Sequence, residues 1–397
     1  MIAVRMDPDE RFRCLLTVAA KTYLSGRDGV LVNGKGKVRM SERQLELLTL
    51  EGSFRDIGYM HGKQGAERIR HFLELIVKHG IEMIPNFTKE KALSVARRYI
   101  PYIEDCAPHL AEEIRGIAEG AELSLESAYL LQLRAEVTQL TIENNSSLDC
   151  CTSFALSRNM TEDGEVWIGQ NLDLQPFYKD FGVILRIRPK KGQTILCYSQ
   201  IGSVGHAGIN SAGIGLAVNA LYSSGWRPGV PRPILYRLIL EKESVSEALK
   251  AITEARRASS CNYMISHKSG EIKNIEATPR DYAVMNPCGG LMVHANHFEH
   301  PRMHQFEKRP KDRLENSKFR EMRFKKLASD CGEKISPEKL KEFLADHDRF
   351  PVAICAHPEG NPWHLMTIAS IIAHPSDALM HVASGQGCKN EYLAYSL

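Results

Sequence analysis

The sequence predicts an α+β fold in which helices are layered against antiparallel sheets, and three features carry that expectation. Apolar residues recur at helical spacing from about position 48 to 136. From position 152 they change to short strand-like runs bounded by turn dipeptides. Helices and strands then continue in separate blocks, the pattern of packed layers around antiparallel sheets.

The elements follow in order. Residues 1–45 mix charges, glycines (Gly26, Gly29, Gly34, Gly36) and short apolar runs without a sustained period, so they are expected to form an N-terminal extension lacking fixed structure, and Met40 is an alternative start. From about position 48, Ile69, Phe72, Leu73, Ile76 and Val77 mark one helical face, and Leu110, Ile114, Ile117 and Ala121 mark another. Ser124 is placed to cap a helix over 125–137, with Pro101 and Pro108 punctuating the helices before it. Strands are expected at 152–156, 166–169, 183–187 and 194–200, with turns at Asp163-Gly164 and Lys191-Gly192. Helices at 234–241 and 245–255, strands at 263–266, 271–276 and 291–294, helices at 314–328 and 337–345, and a hairpin of 366–373 with 378–383 complete the chain. The segment 208–213 reads as a tight turn, because no Gly-Lys-Ser/Thr follows to make it a phosphate loop.

Bulk composition narrows the function. A chain of 397 residues, 43% hydrophobic and 25% charged, buries a large core. A net charge of +3 argues against a nucleic-acid or membrane-surface partner. The basic stretch 308–326 is interrupted by Glu315, Glu321 and apolar residues and reads as a solvated amphipathic helix. No run approaches the roughly 20 apolar residues of a membrane helix. The apolar stretch 14–20 after Arg11 and Arg13 barely reaches the lower length limit of a signal-peptide core and is preceded by acidic residues, so it is not read as a signal peptide. Ten cysteines without C-x-x-C or regular spacing read as reduced thiols in a cytoplasmic protein.

Two clusters invite chemistry. Cys150-Cys151 stands where the polar loop 144–149 enters a strand, and by composition alone a buried core thiol is the ordinary reading. The second cluster, His294, His297, His300 and His304, suggests a zinc-dependent metallohydrolase as the alternative. Against it, H-E-x-x-H is missing and Pro301 prevents one helix from presenting all four. No G-x-S-x-G serine elbow is found.

The case for Cys151 rests on an ordered series of short motifs: Ile57-Gly58-Tyr59 with His61-Gly62; Ile114 to Ala118 with Gly120-Ala121; Arg134 and Glu136; Cys151-Thr152; Gly169-Gln170-Asn171 with Asp173; Gly208 to Gly213; Gly229-Val230-Pro231; Ile275-Glu276; and Val293 to His297. In this series the chain resembles the acyl-coenzyme A:6-aminopenicillanic-acid acyltransferase family, a branch of the N-terminal-nucleophile (Ntn) hydrolases, from about Leu48 to near the C-terminus. The resemblance implies a four-layer αββα fold and a precursor cut between Cys150 and Cys151 into an α segment (46–150) and a β segment (151–397). It implies Cys151 as nucleophile, Asn296 as oxyanion donor, and Asp173 as the acidic group that orients the α-amine and helps the cut. Asn171 and Asn219 are candidate lining residues.

The chemistry of such a cut is coherent. A thiol of pKa about 8.5 needs a base, and cutting its peptide bond frees an α-amine of pKa about 7.7–8.0 on the same residue. The family pattern places an arginine directly after its Ile-Cys pair, whereas Ile354-Cys355 is followed by Ala356 and then His357, so either His357 is the substitute or the role is absent. The expected activity is N-acyl amide hydrolysis or acyl transfer on a small molecule. No metal or other cofactor is expected beyond a coenzyme A thioester as co-substrate, the two segments are each other's partners, and a homo-oligomer is compatible with the sequence.

Overall fold

The protein is described from a computed structural model covering residues 44–83, 86–141, 150–332 and 334–397. The expected arm, apart from its last two residues, Met40 and the polar loop before Cys150 lie outside these residues. The chain opens with strand β1 (Leu47–Gly52), then helices α1 (Phe54–Met83), α2 (Lys89–Arg97), α3 (Ile100–Cys106), α4 (Pro108–Gly120), α5 (Leu125–Leu131) and α6 (Arg134–Thr141). Strands β2 (Cys150–Leu156), β3 (Trp167–Leu174), β4 (Gly182–Pro189), β5 (Ile195–Gln200), β6 (Gly208–Asn210) and β7 (Ile214–Ala220) follow. Helices α7 (Arg232–Leu240) and α8 (Val245–Thr253) precede β8 (Cys261–His267), β9 (Ile272–Ala277), β10 (Tyr282–Met285) and β11 (Leu291–His294). Helices α9 (Lys311–Asp330) and α10 (Pro337–Leu344) lead to β12 (Met366–His374), β13 (Leu379–Ser384) and β14 (Tyr392–Ser396).

The strands make two sheets, one ordered β1-β4-β5-β6-β7-β8-β9-β10 and the other β11-β2-β3-β12-β13-β14. Every pairing is antiparallel except β1 with β4. Strands β2 and β3 pack on β7, α1, α7 and α8 cover the larger sheet, and α9 and α10 cover the smaller. This is the four-layer αββα order expected from the resemblance. It explains why β2, β3 and β7 are buried along their whole length: both faces of each are covered, so alternation gives way to continuous burial. Residues 44–397 form a single compact unit, so the expected α and β segments share one core.

Several elements differ from expectation for identifiable reasons. The expected helix 125–137 begins as foreseen, with Ser124 Oγ accepting the Ser127 N–H at 3.3 Å, but it breaks after Leu131. Gln132 stands at the interruption: its side chain donates to Ala128 O at 3.1 Å and Gly202 O at 2.8 Å and accepts from Val204 N at 3.0 Å, tying the helical layer to the turn after β5. Strand β1 was hidden in a region expected to be helical, because a six-residue edge strand carries little periodic signal. The largest correction concerns the basic stretch. Helix α9 does not merely float on solvent: Arg313, Asn316, Ser317, Arg320 and Glu321 are buried on its inner face beside Phe324 and Ala328.

Helices α1 and α4 cross at glycines, which gives the motifs around Gly58 and Gly116 a structural cause. A Cβ on Gly58 would lie 1.9 Å from Glu113 O, and one on Gly116 would lie 2.3 Å from Arg55 O. Gly62 and Gly120 repeat the contact one turn further along.

Candidate active site

Cys151 is the second residue of β2 and is buried. On one side β2 pairs with β3, in the register Cys150 to Asp173, Cys151 to Leu172 and Thr152 to Asn171. On the other side β11 pairs with β2 only as far as His294 opposite Ser153. Beyond that point side chains take the place of the missing ladder. The Cys151 N–H donates to Asn296 Oδ1 at 2.6 Å, and the Cys151 carbonyl accepts from Arg320 Nη1 at 2.6 Å. Arg320 also donates to Thr152 Oγ1 at 2.7 Å and Asn296 Oδ1 at 3.0 Å, and Asn316 Oδ1 fixes its Nε at 3.0 Å. A buried guanidinium thus spans the main chain of the expected nucleophile and its nearest side-chain partner.

The pleat separates two environments. Ser153 and Gln170 point to the larger sheet, where Ser153 Oγ donates to Asn219 Oδ1 at 2.6 Å and Gln170 Oε1 accepts from Val218 N at 2.7 Å. Cys151 and its register partner Leu172 share that inner face and line a cavity with Arg134, Glu136, Val218 and Arg232. About 60 Å³ of it is open to the centre of a water molecule, room for a few waters or a small acyl group. Glu136 in its wall accepts from Ser259 Oγ at 2.7 Å and Arg232 N at 3.2 Å.

Asp173, Asn171 and Thr152 share the outer face, under α9, α10 and the loop 345–363. Asp173 Oδ1 accepts from Thr367 Oγ1 at 2.7 Å, while Oδ2, fully buried, has no hydrogen-bond partner among the described residues. Burial pushes this carboxyl up to about 7, against the opposing pull of the Arg320 charge and the Thr367 hydrogen bond. Asp173, with its raised carboxyl, is the register partner of Cys150, the residue before the bond expected to be cut.

The remaining expected residues divide. Asn296 is beside Cys151, but its geometry changes the role expected of it: Nδ2 is committed to Ala220 O at 3.1 Å, and the carbonyl oxygen is what faces Cys151 and Arg320. Two donors converge on that oxygen, which fixes the amide orientation. Asn219 belongs to an inter-sheet network with Ser153 and Asn262, and Asn171 holds the carbonyls of Leu344 and Ile354 at 2.8 and 2.9 Å. Both position the walls, and neither is free to meet a substrate through those groups. His357 does not replace the arginine expected after Cys355; its Nε2 faces His347, Cys355 and Cys388 instead.

The histidine cluster disperses. His294 meets Glu276 at 2.9 Å and the Ala295 carbonyl at 2.8 Å; His297 meets Glu321 at 3.1 Å and Ser317 Oγ at 2.9 Å. His300 accepts from Arg302 N at 3.2 Å, and His304 faces Glu299 O at 2.9 Å. Carboxylates, a hydroxyl and main-chain groups have taken the positions a metal would need, which removes the support for the metallohydrolase alternative.

Sequence reasoning missed Arg320 and Thr367. Arg320 was legible only as a spacing: polar residues at 313, 316, 317, 320 and 321 form a helical stripe that a purely solvated face does not require.

The family model described as "Acyl-coenzyme A:6-aminopenicillanic acid acyl-transferase" matches residues 159–389, more than half of the chain, starting just beyond Cys151. The 40 kDa form of acyl-coenzyme A:6-aminopenicillanic-acid-acyltransferase from Emericella nidulans is 29% identical over 320 residues, 79% of this chain and 85% of that protein. The beta-alanyl-dopamine/carcinine hydrolase of Drosophila melanogaster is 21% identical over 300 residues, 68% of this chain and 76% of that one. Among solved structures, a variant of the conjugated bile acid hydrolase from Clostridium perfringens superposes with a TM-score of 0.45 at 15% identity, covering 62% of this chain and 97% of its own. Penicillin V acylase from Agrobacterium tumefaciens gives a TM-score of 0.42 at 12% identity, covering 62% and 86%.

Proposed function

The chain belongs to the acyl-coenzyme A:6-aminopenicillanic acid acyl-transferase family, and from that premise we propose that it is a self-processing cysteine amidohydrolase or acyltransferase with Cys151 as nucleophile. The observation that carries this reading is the capture of the Cys151 main chain by Asn296 and Arg320, while Cys151 itself lines a cavity. A structural core thiol needs no such arrangement.

In the self-cut, Cys151 Sγ attacks the carbonyl carbon of Cys150 and the C–N bond breaks as the nitrogen of Cys151 gains a proton. The neutral Asp173 carboxyl supplies that proton and its carboxylate takes up the one the thiol releases, so the carboxyl is restored; water then hydrolyses the thioester, leaving a carboxylate on Cys150 and a free thiol on Cys151. The former amide nitrogen is now an amine. Asn296 Oδ1, which accepts its single N–H before the cut, accepts one of its hydrogens afterwards and turns the lone pair towards the thiol. In turnover the amine takes the thiol proton, sulfur attacks the acyl carbonyl of an amide or thioester, and the ammonium protonates the leaving group. Water or an amine then removes the acyl group. The boundary at 150/151 divides the chain into an α segment from 46 and a β segment to 397. Acyl-coenzyme A serves as donor if transfer dominates, in keeping with the name of the fungal relative, while the insect relative is named as a hydrolase.

Incubation with small N-acyl amines and acyl-coenzyme A esters, followed by acid quench and peptide mass mapping, tests the role of Cys151. The expected product is a thioester adduct on a peptide beginning at Cys151, absent from Cys151→Ser. Substrate turnover that proceeds undiminished in Cys151→Ala overturns the assignment.

A further inference from the structure

A second group of side chains with chemical potential lies behind the site. His347, Cys355, His357 and Cys388 converge so that one ligand atom from each lies within 4.8 Å of the others. The shorter separations are 3.0 Å between the two Nε2 atoms, 3.6 Å between the two sulfurs, and 3.6 and 3.3 Å from His357 Nε2 to Cys355 and Cys388. Bonds of about 2.3 Å to sulfur and 2.0–2.1 Å to nitrogen around a tetrahedral centre set neighbouring ligand atoms about 3.3–3.8 Å apart. These four separations lie within a few tenths of an ångström of that range, and the remaining two, from His347 to the sulfurs, are no longer than 4.8 Å, so a small movement of the exposed His347 side chain closes the tetrahedron. Two thiols and two imidazoles are also the ligand chemistry that selects zinc over the oxygen-seeking cations.

We propose that His347, Cys355, His357 and Cys388 form a structural Zn²⁺ site that clips the β13–β14 turn to the loop 345–363. All four tetrahedral positions are filled by protein, leaving none for substrate, so the metal has a holding role. The loop is shaped before the metal arrives: Cys355 N donates to Asp346 O at 3.0 Å, and His357 N to Pro351 O at 2.9 Å. Glu359 stands 3.7 Å from the Nδ1 of His357, the side away from the cluster, where a carboxylate orients a ligating imidazole.

What the clip holds is the wall of the active site. Ile354 O accepts from Asn171, and Ala356 N donates to Thr367 Oγ1 at 2.9 Å, the hydroxyl that donates in turn to Asp173. Both neighbours of Cys355 thus feed into the strands that carry the acidic residue. The site rests on its own four ligands and stands or falls independently of the Cys151 mechanism.

The test loads the full-length protein with zinc, dialyses it against a weak chelator and measures bound metal, with Cys388→Ser and His347→Ala as exposed-ligand variants whose truncation spares the core. Close to one zinc per chain is expected in the wild type, with affinity at least about 100-fold weaker in each variant. Cobalt loading should give the visible spectrum of a tetrahedral thiolate complex, lost in Cys388→Ser. A folded wild type retaining less than one-tenth of an equivalent overturns the proposal. So does metal content unchanged in both variants, or a Cys355–Cys388 disulfide in protein purified without air.

Discussion

At the residue scale, two buried groups flank the Cys150–Cys151 bond: Asp173, the register partner of Cys150, and Arg320, which holds the Cys151 carbonyl. Asp173 carries a pKa raised to about 7 by burial, so as proton donor it is lost as pH rises through that value. The rate of the self-cut is therefore expected to fall above about pH 7, and Asp173→Asn should slow it by about 10²–10⁴-fold and flatten the profile. Time courses of precursor loss between pH 5 and 9 measure both effects; a rate that rises steadily across that range contradicts the assigned role. Arg320 is the other group. Replacing it with methionine keeps the volume of the stem but leaves Asn296 Oδ1, Thr152 Oγ1 and the Cys151 carbonyl without their cation. We expect a loss on the order of 3 kcal/mol in urea unfolding, together with a stalled self-cut.

At the element scale, the glycines of α1 and α4 are as demanding as any catalytic residue. Gly116→Ala would drive a methyl group to 2.3 Å from Arg55 O, and since main chain cannot step aside as a side chain does, a cost of about 1–3 kcal/mol is expected by chemical denaturation. Gly164→Ala has open space around it and is the control for added volume, though its positive φ carries a smaller strain of its own. The same scale shows where the sequence was readable. Ser124 and most helices and strands were legible because caps and periodicity are local properties, whereas the expected turn at 208–213 was only half right, since Gly208–Asn210 is strand β6 and the turn begins at Asn210. Strand β7 was not, since its uniformly buried run lacks alternation, and β1 and β14 are short edges. The site was half legible. Cys151, Asp173 and Asn296 stood out within ordered motifs, whereas Arg320 was disguised as one cation among many, and the cluster around His357 is assembled from residues up to 41 positions apart that no local pattern joins.

At the scale of the whole molecule, the proposed cut falls inside one compact unit. Strand β1, from the segment before Cys150, pairs with β4 from the segment after it, and α1 packs over both. Gln132 and Arg68 reach from the helical layer to the main chain of Gly202, Asp180 and Gly182. Two chains produced by the cut should therefore co-elute on gel filtration as one particle and separate only in denaturant.

The most direct measurement is the intact mass of freshly purified protein under denaturing conditions, with the N-terminal sequence of the larger fragment. Two chains are expected, the larger beginning at Cys151, while Cys151→Ala stays a single chain. A folded wild type that remains one chain, or one cut at another bond, contradicts the central claim that Cys151 becomes an N-terminal nucleophile.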